Sequence, residues 1–449
     1  MRSYTAHMIT PAMLPGRAQE IAQSFDLREL PPDFYANPYP VYDWLRKHQP
    51  IRHMPDGSLF LTRHADLVSV YKDAKTFSSD KQAEFTPKFN VSPFSSQGSV
   101  APLYEHHTSS LVFNDPPLHT RVRTIIMGAL SRRAVEQMQA GLVQLVDGLL
   151  NQIEAKGGGD LIEDFASAIP VEIIGNLLGI PHQDRAPLRG WSLAILGALE
   201  PKLTPEQHSL GNQSVSDFKH YLQGLVQERR QQPGNPEHDV LTRLIQSEPA
   251  LTTNELLQNC IFILNAGHET TTNLIGNALV SLQEHPQALK NLLSIKEHSA
   301  QISRWPEANF DQKTALQKST DAFDTAIDEF LRFESSNQLG NRRATADFEL
   351  AGQRYPAGTL LTLCIGAANR DSTVFDNPNQ LQLDRSPNKH LAFGFGIHQC
   401  AGLSLARLEA RIALQGFLSR FPNYHLNAAP ERGGRARFRG FLRAGFAVA

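Results

Sequence analysis

The chain has 449 residues, of which 41% are hydrophobic and 20% charged, with a net charge of −2. That balance suits a globular protein with a substantial core and argues against nucleic acid as a partner. Its three cysteines, Cys260, Cys364 and Cys400, lie far apart with no Cys-x-x-Cys pair, which speaks against a disulfide framework and a structural zinc site.

Residues 1–25 read as a flexible leader, because Pro11 and Pro15 interrupt any amphipathic helix there. Arg2 and Arg17 without an acid before Glu20 faintly resemble a transit peptide. Residues 26–449 read as one domain, since no repeat, low-complexity tract or Gly/Ser-rich linker divides them. Pro38 to Lys47 predicts a helix, Ser58 to Arg63 a strand, and Ala65 to Lys72 a second helix. Phe77 to Leu111, rich in Ser, Pro, Gln and Gly, predicts a long loop, in which His106 and His107 are expected to be solvated. Helical periodicity then dominates: Leu118 to Leu130, Ala134 to Ala155, Val171 to Leu178, Asp184 to Leu199, Pro205 to Gln231, Asp239 to Gln246 and Thr253 to Glu284. Extended pieces at 348–350 and 359–364, joined by a turn at 355–358, predict further strands of the small sheet begun near residue 58. The fold is therefore expected to be mainly α with small β-sheets. No apolar run approaches the roughly 20 residues that span a bilayer, so no membrane association is expected.

The most informative run is Phe393-Gly-Phe-Gly-Ile-His-Gln-Cys-Ala-Gly402. Gly394 and Gly396 free the backbone to turn, and Gly402 keeps the far side uncrowded. A helix is expected from Leu403, so Cys400 stands just before a helix N-terminus whose free amides favour a thiolate. A dinucleotide loop fits poorly, because Gln399 stands where its third glycine belongs. A small buried cysteine or a lone catalytic one stays open on these residues alone.

Five other motifs precede that run: Asp115-Pro-Pro-Leu-His-Thr-Arg-Val-Arg123, Ala266-Gly-His-Glu-Thr-Thr271, Glu329-Phe-Leu-Arg332, Arg342-Arg-Ala-Thr-Ala-Asp347 and Ala367-Ala-Asn-Arg-Asp371. In this order, and over most of the chain, they resemble the cytochrome P450 superfamily, and within it the soluble bacterial members. The resemblance implies that haem b lies between the long central helix and the cysteine loop, with Cys400 as thiolate ligand to iron. It implies that His119, Arg123, Arg342 and His398 bind the haem propionates, and that Ala266, Phe393 and Gly402 lie against the macrocycle. It implies that Glu269 and Thr270 relay protons to dioxygen at the iron. The pair Glu329 and Arg332, with Arg385 as a third member, is implied to lock the cysteine loop.

The residues themselves allow plainer readings. Glycine in mid-helix at Gly267 can serve a helix crossing, although a carboxylate beside a hydroxyl that bonds back onto the helix suits a proton relay. His119 and Arg123, four apart, would also fit a solvated helix face. Glu329 and Arg332 would fit a surface ion pair, were Phe323, Ile327, Phe330 and Leu331 not around them. His268 reads as structural.

The resemblance places Phe262, Asn265 and Leu339 in the substrate pocket. Asn265 is expected either to hydrogen-bond a substrate or to brace its own helix against a neighbour. Ser294 to Ser319 reads as a surface insertion, and the last strand, after Phe441, as short. The chain has no Rossmann fingerprint, flavin module or iron–sulfur cysteine set. Electrons are therefore expected from a ferredoxin or flavodoxin with an NAD(P)H-dependent reductase, docking near Arg407, Arg411 and the helix after Leu118. The expected function is a cytoplasmic monooxygenase that activates O2 and hydroxylates or epoxidises a small, largely apolar molecule. A peroxide-driven peroxygenase, a non-catalytic haem sensor and a cysteine hydrolase are the competing readings.

Overall fold

The computed structural model describes residues 12–89, 101–237, 239–303 and 310–448, with backbone only over 295–303 and 310–320. At its centre runs the helix Thr253–Glu284. Thr252 accepts from Glu255 N at 3.2 Å while the Glu255 carboxylate accepts from Thr252 N at 2.8 Å, a reciprocal cap that fixes where the helix starts. Almost every residue from Leu256 to Leu282 is buried, so this helix passes through the core with no polar stripe.

The helices Ala168–Leu178, Leu188–Gly197, Pro205–Gln231 and Leu403–Arg420 pack around it. A Cβ on Gly267 would come within 2.5 Å of Ile174 Cδ1, and one on Gly276 equally close to Ile162 Cδ1. Gly267 thus serves a helix crossing, the plainer of its two readings. The helix Leu403–Arg420 packs in turn on Arg132–Lys156, where Gly416 would meet Val146 Cγ1 at 2.8 Å if it carried a Cβ.

A five-stranded sheet joins the two ends of the chain, in the order Ile51–His53, Leu59–Leu61, Leu360–Cys364, Leu339–Ala344, Phe77–Ser78. Leu59–Leu61 and Leu360–Cys364 run parallel and the other pairs antiparallel. The mainly α fold with small sheets agrees with the sequence reading. Phe348–Leu350, however, pairs with Gln353–Tyr355 in a separate hairpin, turned by Ala351 and Gly352 in left-handed backbone, and does not enter the five-stranded sheet.

Three other expectations need correction. Part of the leader is ordered: Pro15–Gln23 forms a helix that buries Ala18, Ile21 and Ala22, followed by Phe25, in a cluster with Phe34, Tyr42 and Phe60. Residues 1–11 lie outside the described residues. The long loop contains the strand Phe77–Ser78 and the helices Gln82–Lys88 and Pro102–Ser109, because Phe85, Phe89 and Leu103 have a core to bury into. The stretch read as an insertion prolongs the helices Pro286–Ser303 and Phe310–Phe333, while Trp305, Pro306 and Asn309 lie outside the described residues. The last strands, Phe441–Arg443 and Gly445–Ala447, are short as expected.

Candidate active site

The cysteine loop is closed by its own backbone. Gly394 N donates to Leu391 O at 2.8 Å, and Cys400 N donates to Phe393 O at 2.8 Å. Gly394 and Gly396 have φ of +66° and +74°, and a Cβ on Gly396 would collide with the Tyr71 carbonyl of the helix His64–Lys72. Helix Leu403–Arg420 follows with Gly402 as its cap. Burial pushes the Cys400 thiol up, whereas the Gly402 N–H and the charges of Arg123 and Arg407 pull it down. The helix amides therefore do not hold the thiolate by themselves, as the sequence reading expected. A cation bound at the sulfur would complete the balance.

Phe393 is clamped beside it. The Arg407 guanidinium stands 4.8 Å from the centre of its ring and the His390 ring 5.8 Å away. Arg407 and His390 are both held by Asp328, at 2.9 and 3.3 Å.

Around this loop the fold gathers arginines and neutral imidazoles from separate segments. His119, from Leu118–Ala129, lies with its ring centre 4.0 Å from that of His398. Both ring nitrogens of His119 and Nε2 of His398 are buried without a hydrogen-bond partner. Arg342, from Leu339–Ala344, stacks over Tyr71 at 5.1 Å. Arg123 is close enough for its charge to act on Cys400 and on both histidines. Burial first, then Arg342, His119 and Arg123, drive His398 down to about 2.

So many buried cations and orphaned donors beside one thiol fit a ligand with two carboxylates, as haem has. Lys81 belongs with this group although the sequence reading missed it. Its ammonium is buried, pairs with Glu84 at 3.2 Å, and acts on His398. The local sequence held no signal for it, because its segment reads as loop.

On the central helix, Ala266 is exposed and Thr270 half-buried although Asn265, His268 and Glu269 are buried. Thr270 Oγ1 donates back to Ala266 O at 2.8 Å, as its sequence context predicts. Glu269 is 5% exposed and turned toward the C-terminal segment, where Oε1 meets Arg435 Nη1 at 2.6 Å and Oε2 has no partner. Burial raises its pKa and Arg435 opposes the shift. A cavity of about 20 Å³, roughly one water, is lined by Glu269, His268, Arg189, Thr272 and Arg435. No hydrogen bond joins Glu269 to Thr270 among the described residues, and Arg435 was not foreseen as the acid's partner.

The histidines expected in a solvated loop are buried, His106 at 2% and His107 at 1% exposure. Helix Pro102–Ser109 docks on the central helix, where His106 Nδ1 lies 3.0 Å from Gln258 Oε1 and His106 Nε2 lies 3.2 Å from Asn265 Nδ2. With Nδ1 as donor to Gln258, Nε2 accepts from Asn265. Burial lowers the His106 pKa to about 4, so the ring is neutral. Asn265 thereby braces its helix, while its Oδ1 stays buried and unpartnered. Phe262 is half-buried, and Leu339 is 1% exposed with its carbonyl accepting from Arg437 at 2.8 Å.

Glu329 and Arg332 form a fully buried bidentate pair at 2.7 and 2.8 Å. Arg385 and Asn388 add donors to Glu329 at 3.0 and 3.2 Å, so Arg385 is the third member. Arg332 also donates to the carbonyls of Asn369, Pro378 and Gln380 at 2.9, 2.8 and 3.0 Å. The pair ties the backbone at Asn369, Pro378, Gln380 and Gln382 to the helix Phe310–Phe333, and does not lie on a surface.

The family model for Cytochrome P450 matches residues 196–428. The biotin biosynthesis cytochrome P450 of Bacillus subtilis is 31% identical over 399 residues, 88% of this chain and 91% of that one. The cytochrome P450 monooxygenase PikC of Streptomyces venezuelae is 32% identical over 417 residues, 90% of this chain and 89% of that one. Among solved structures, P450BioI in complex with hexadec-9Z-enoic acid ligated acyl carrier protein superposes with a TM-score of 0.81 at 30% identity, covering 93% of this chain and 100% of that one. By these matches over most of its length and by its fold, the chain belongs to the cytochrome P450 family of haem-thiolate oxidoreductases.

Proposed function

We propose that this P450 is a monooxygenase that takes electrons from a separate ferredoxin or flavodoxin with its NAD(P)H-dependent reductase, and hydroxylates or epoxidises a small, largely apolar molecule. The observation that carries the reading is the convergence of Cys400 with His119, Arg123, Arg342 and His398 from separate segments of the chain. Haem bound there supplies dioxygen activation. Cys400 would hold the iron, Arg123 and Arg342 would neutralise the propionates, and the neutral rings of His119 and His398 would offer them hydrogen bonds. Phe393 and Gly402 flank the sulfur, and Ala266 keeps the central helix clear on the other face.

Glu269 is the proton carrier of this reading. Glu269 lines a water-sized cavity, with Oε1 on Arg435 and Oε2 without a partner, so a proton can pass from water to the carboxyl. Thr270, anchored on the Ala266 carbonyl, holds the receiving hydroxyl in place. That machinery favours dioxygen over peroxide as oxidant, because peroxide arrives already reduced and protonated. Turnover with hydrogen peroxide equal to that with electron donors would reverse the choice.

Electron delivery is assigned to the cysteine side. Phe395 and Ile397 of the cysteine loop are 37% and 40% exposed there. Arg407 and Arg411 are partly neutralised by Asp328 and Asp324, so apolar contact carries more of this docking than the sequence reading expected.

The deciding experiment is the absorption spectrum of the dithionite-reduced protein with carbon monoxide, for wild type and Cys400→Ser. A strongly red-shifted Soret band in the wild type, lost in the variant, is the expected result. A band indifferent to Cys400 would overturn every role assigned to the residues around it.

A further inference from the structure

Two half-buried cations have no carboxylate within ion-pair distance among the described residues. Lys88, at the end of Gln82–Lys88, donates one N–H to the Glu200 carbonyl at 2.6 Å. Arg437 donates from Nη1 to Leu339 O at 2.8 Å and from Nη2 to Asn341 Oδ1, while its buried Nε–H has no acceptor. Neither forms an ion pair among the described residues. The nearby acids Glu84 and Glu200 act on both cations but pair with neither. Glu200 accepts the backbone N–H groups of Ala436 and Arg437 at 2.9 and 3.1 Å, and Glu84 lies 3.2 Å from Lys81.

The two residues meet at Glu200, whose carbonyl accepts from Lys88 and whose carboxylate accepts from the Arg437 backbone N–H. Arg437 acts on Lys88, and both act on His107. Burial, followed by the Arg437 charge, brings the Lys88 amine down to about 8, so it remains mostly protonated at neutral pH. An apolar wall adjoins them: the Lys88 ammonium stands 5.5 and 5.7 Å from the ring centres of Phe85 and Phe89. The ring of His107 stands 5.6, 5.7 and 5.8 Å from those of Phe85, Phe89 and Phe113. His106, next in the chain, binds Asn265 on the central helix, and Arg437 binds the strand that carries Arg342. The cations therefore border the substrate side of the site.

Withdrawing a charge from water without an ion pair is costly, so two half-buried cations gathered at Glu200, one with a buried N–H that has no acceptor, suit an anion. A planar guanidinium with a free Nε–H beside an ammonium with two free N–H groups suits a carboxylate. We propose that Lys88 and Arg437 bind the carboxylate of an otherwise apolar substrate, whose hydrocarbon body lies against Phe85, Phe89 and Phe113. This rests on the monooxygenase reading above and narrows its substrate class.

The test titrates the haem-loaded protein with dodecanoate and with 4-phenylbutanoate, each beside its methyl ester, reading the Soret spin-state shift and the heat of binding. In the wild type at least one acid binds roughly tenfold or more tighter than its ester. In Arg437→Gln and in Lys88→Met that acid weakens by about 10- to 100-fold while its ester changes by less than about threefold. If neither acid binds more tightly than its ester, the proposal fails. It fails equally if the variants weaken acid and ester alike, which would leave both side chains a purely structural role. The carbon monoxide spectrum of each protein separates the two levels. A thiolate band without acid preference removes only this inference, and absence of the band removes the monooxygenase reading beneath it.

Discussion

Asn265 has one atom engaged and one idle: Nδ2 donates to His106, and Oδ1 is buried without a partner. Replacing it with valine leaves His106 Nε2 unpaired in the core, so Asn265→Val is expected to lose about 1–3 kcal/mol in denaturant titration of the haem-loaded protein. A variant as stable as wild type would show that the bridge contributes nothing. Glu269→Gln preserves the shape and the contact with Arg435 but cannot carry a proton. Turnover with electron donors is expected to fall about 10²-fold with KM little changed, since the loss falls on proton delivery and not on binding. An equal rise in KM would place the carboxylate in substrate binding instead.

Among the elements, the cysteine loop is the one whose position depends most on others. Gly396 is left-handed and lies against the Tyr71 carbonyl, so Gly396→Ala combines backbone strain with a clash. About 1–2 kcal/mol of strain alone is expected, seen as a lower thermal midpoint and faster haem loss to a scavenging apo-globin. The lock behind the loop is harsher. Glu329→Ala would leave Arg332, with no exposed surface, without its carboxylate, a loss of about 3–5 kcal/mol. Little haem-loaded protein is expected to accumulate from that variant. Arg385→Lys, which keeps a charge next to Glu329, is expected to retain haem with a smaller loss of stability.

At the scale of the whole molecule, pH acts through buried neutral histidine. His106 titrates near 6.5 when unfolded but is held at about 4 in the fold. Its contribution is therefore complete above about pH 6.5 and is lost as the unfolded chain takes up a proton the native state refuses. Glu409, 3% exposed and raised to about 8 by burial, works in the opposite sense, so the comparison must isolate the histidine. Between about pH 6 and pH 4.5, wild type is expected to lose roughly 1 kcal/mol per pH unit more than His106→Gln in urea titrations. Parallel slopes would mean that His106 is protonated in the native state. Among the described residues no helix is long and apolar enough to cross a membrane.

The sequence by itself determined the family and the long elements. Thr253–Glu284 and Pro205–Gln231 were legible to the residue, because each begins at a Thr that pairs with Glu or Gln three positions on. Cys400, the Glu329–Arg332 pair and the cation positions were legible because their chemistry demands fixed residue types at fixed spacing. Tertiary structure alone decided what lies far apart in the chain: Glu269 with Arg435, Asn265 with His106, and Lys88 with Arg437 in one region. The stretch from Phe77 to Leu111 read as loop because its helices are short, and helices of seven or eight residues form only where a core receives their Phe, Leu and His side chains. Local periodicity records which face of an element is apolar. Which buried charge meets which partner is settled only when distant segments pack.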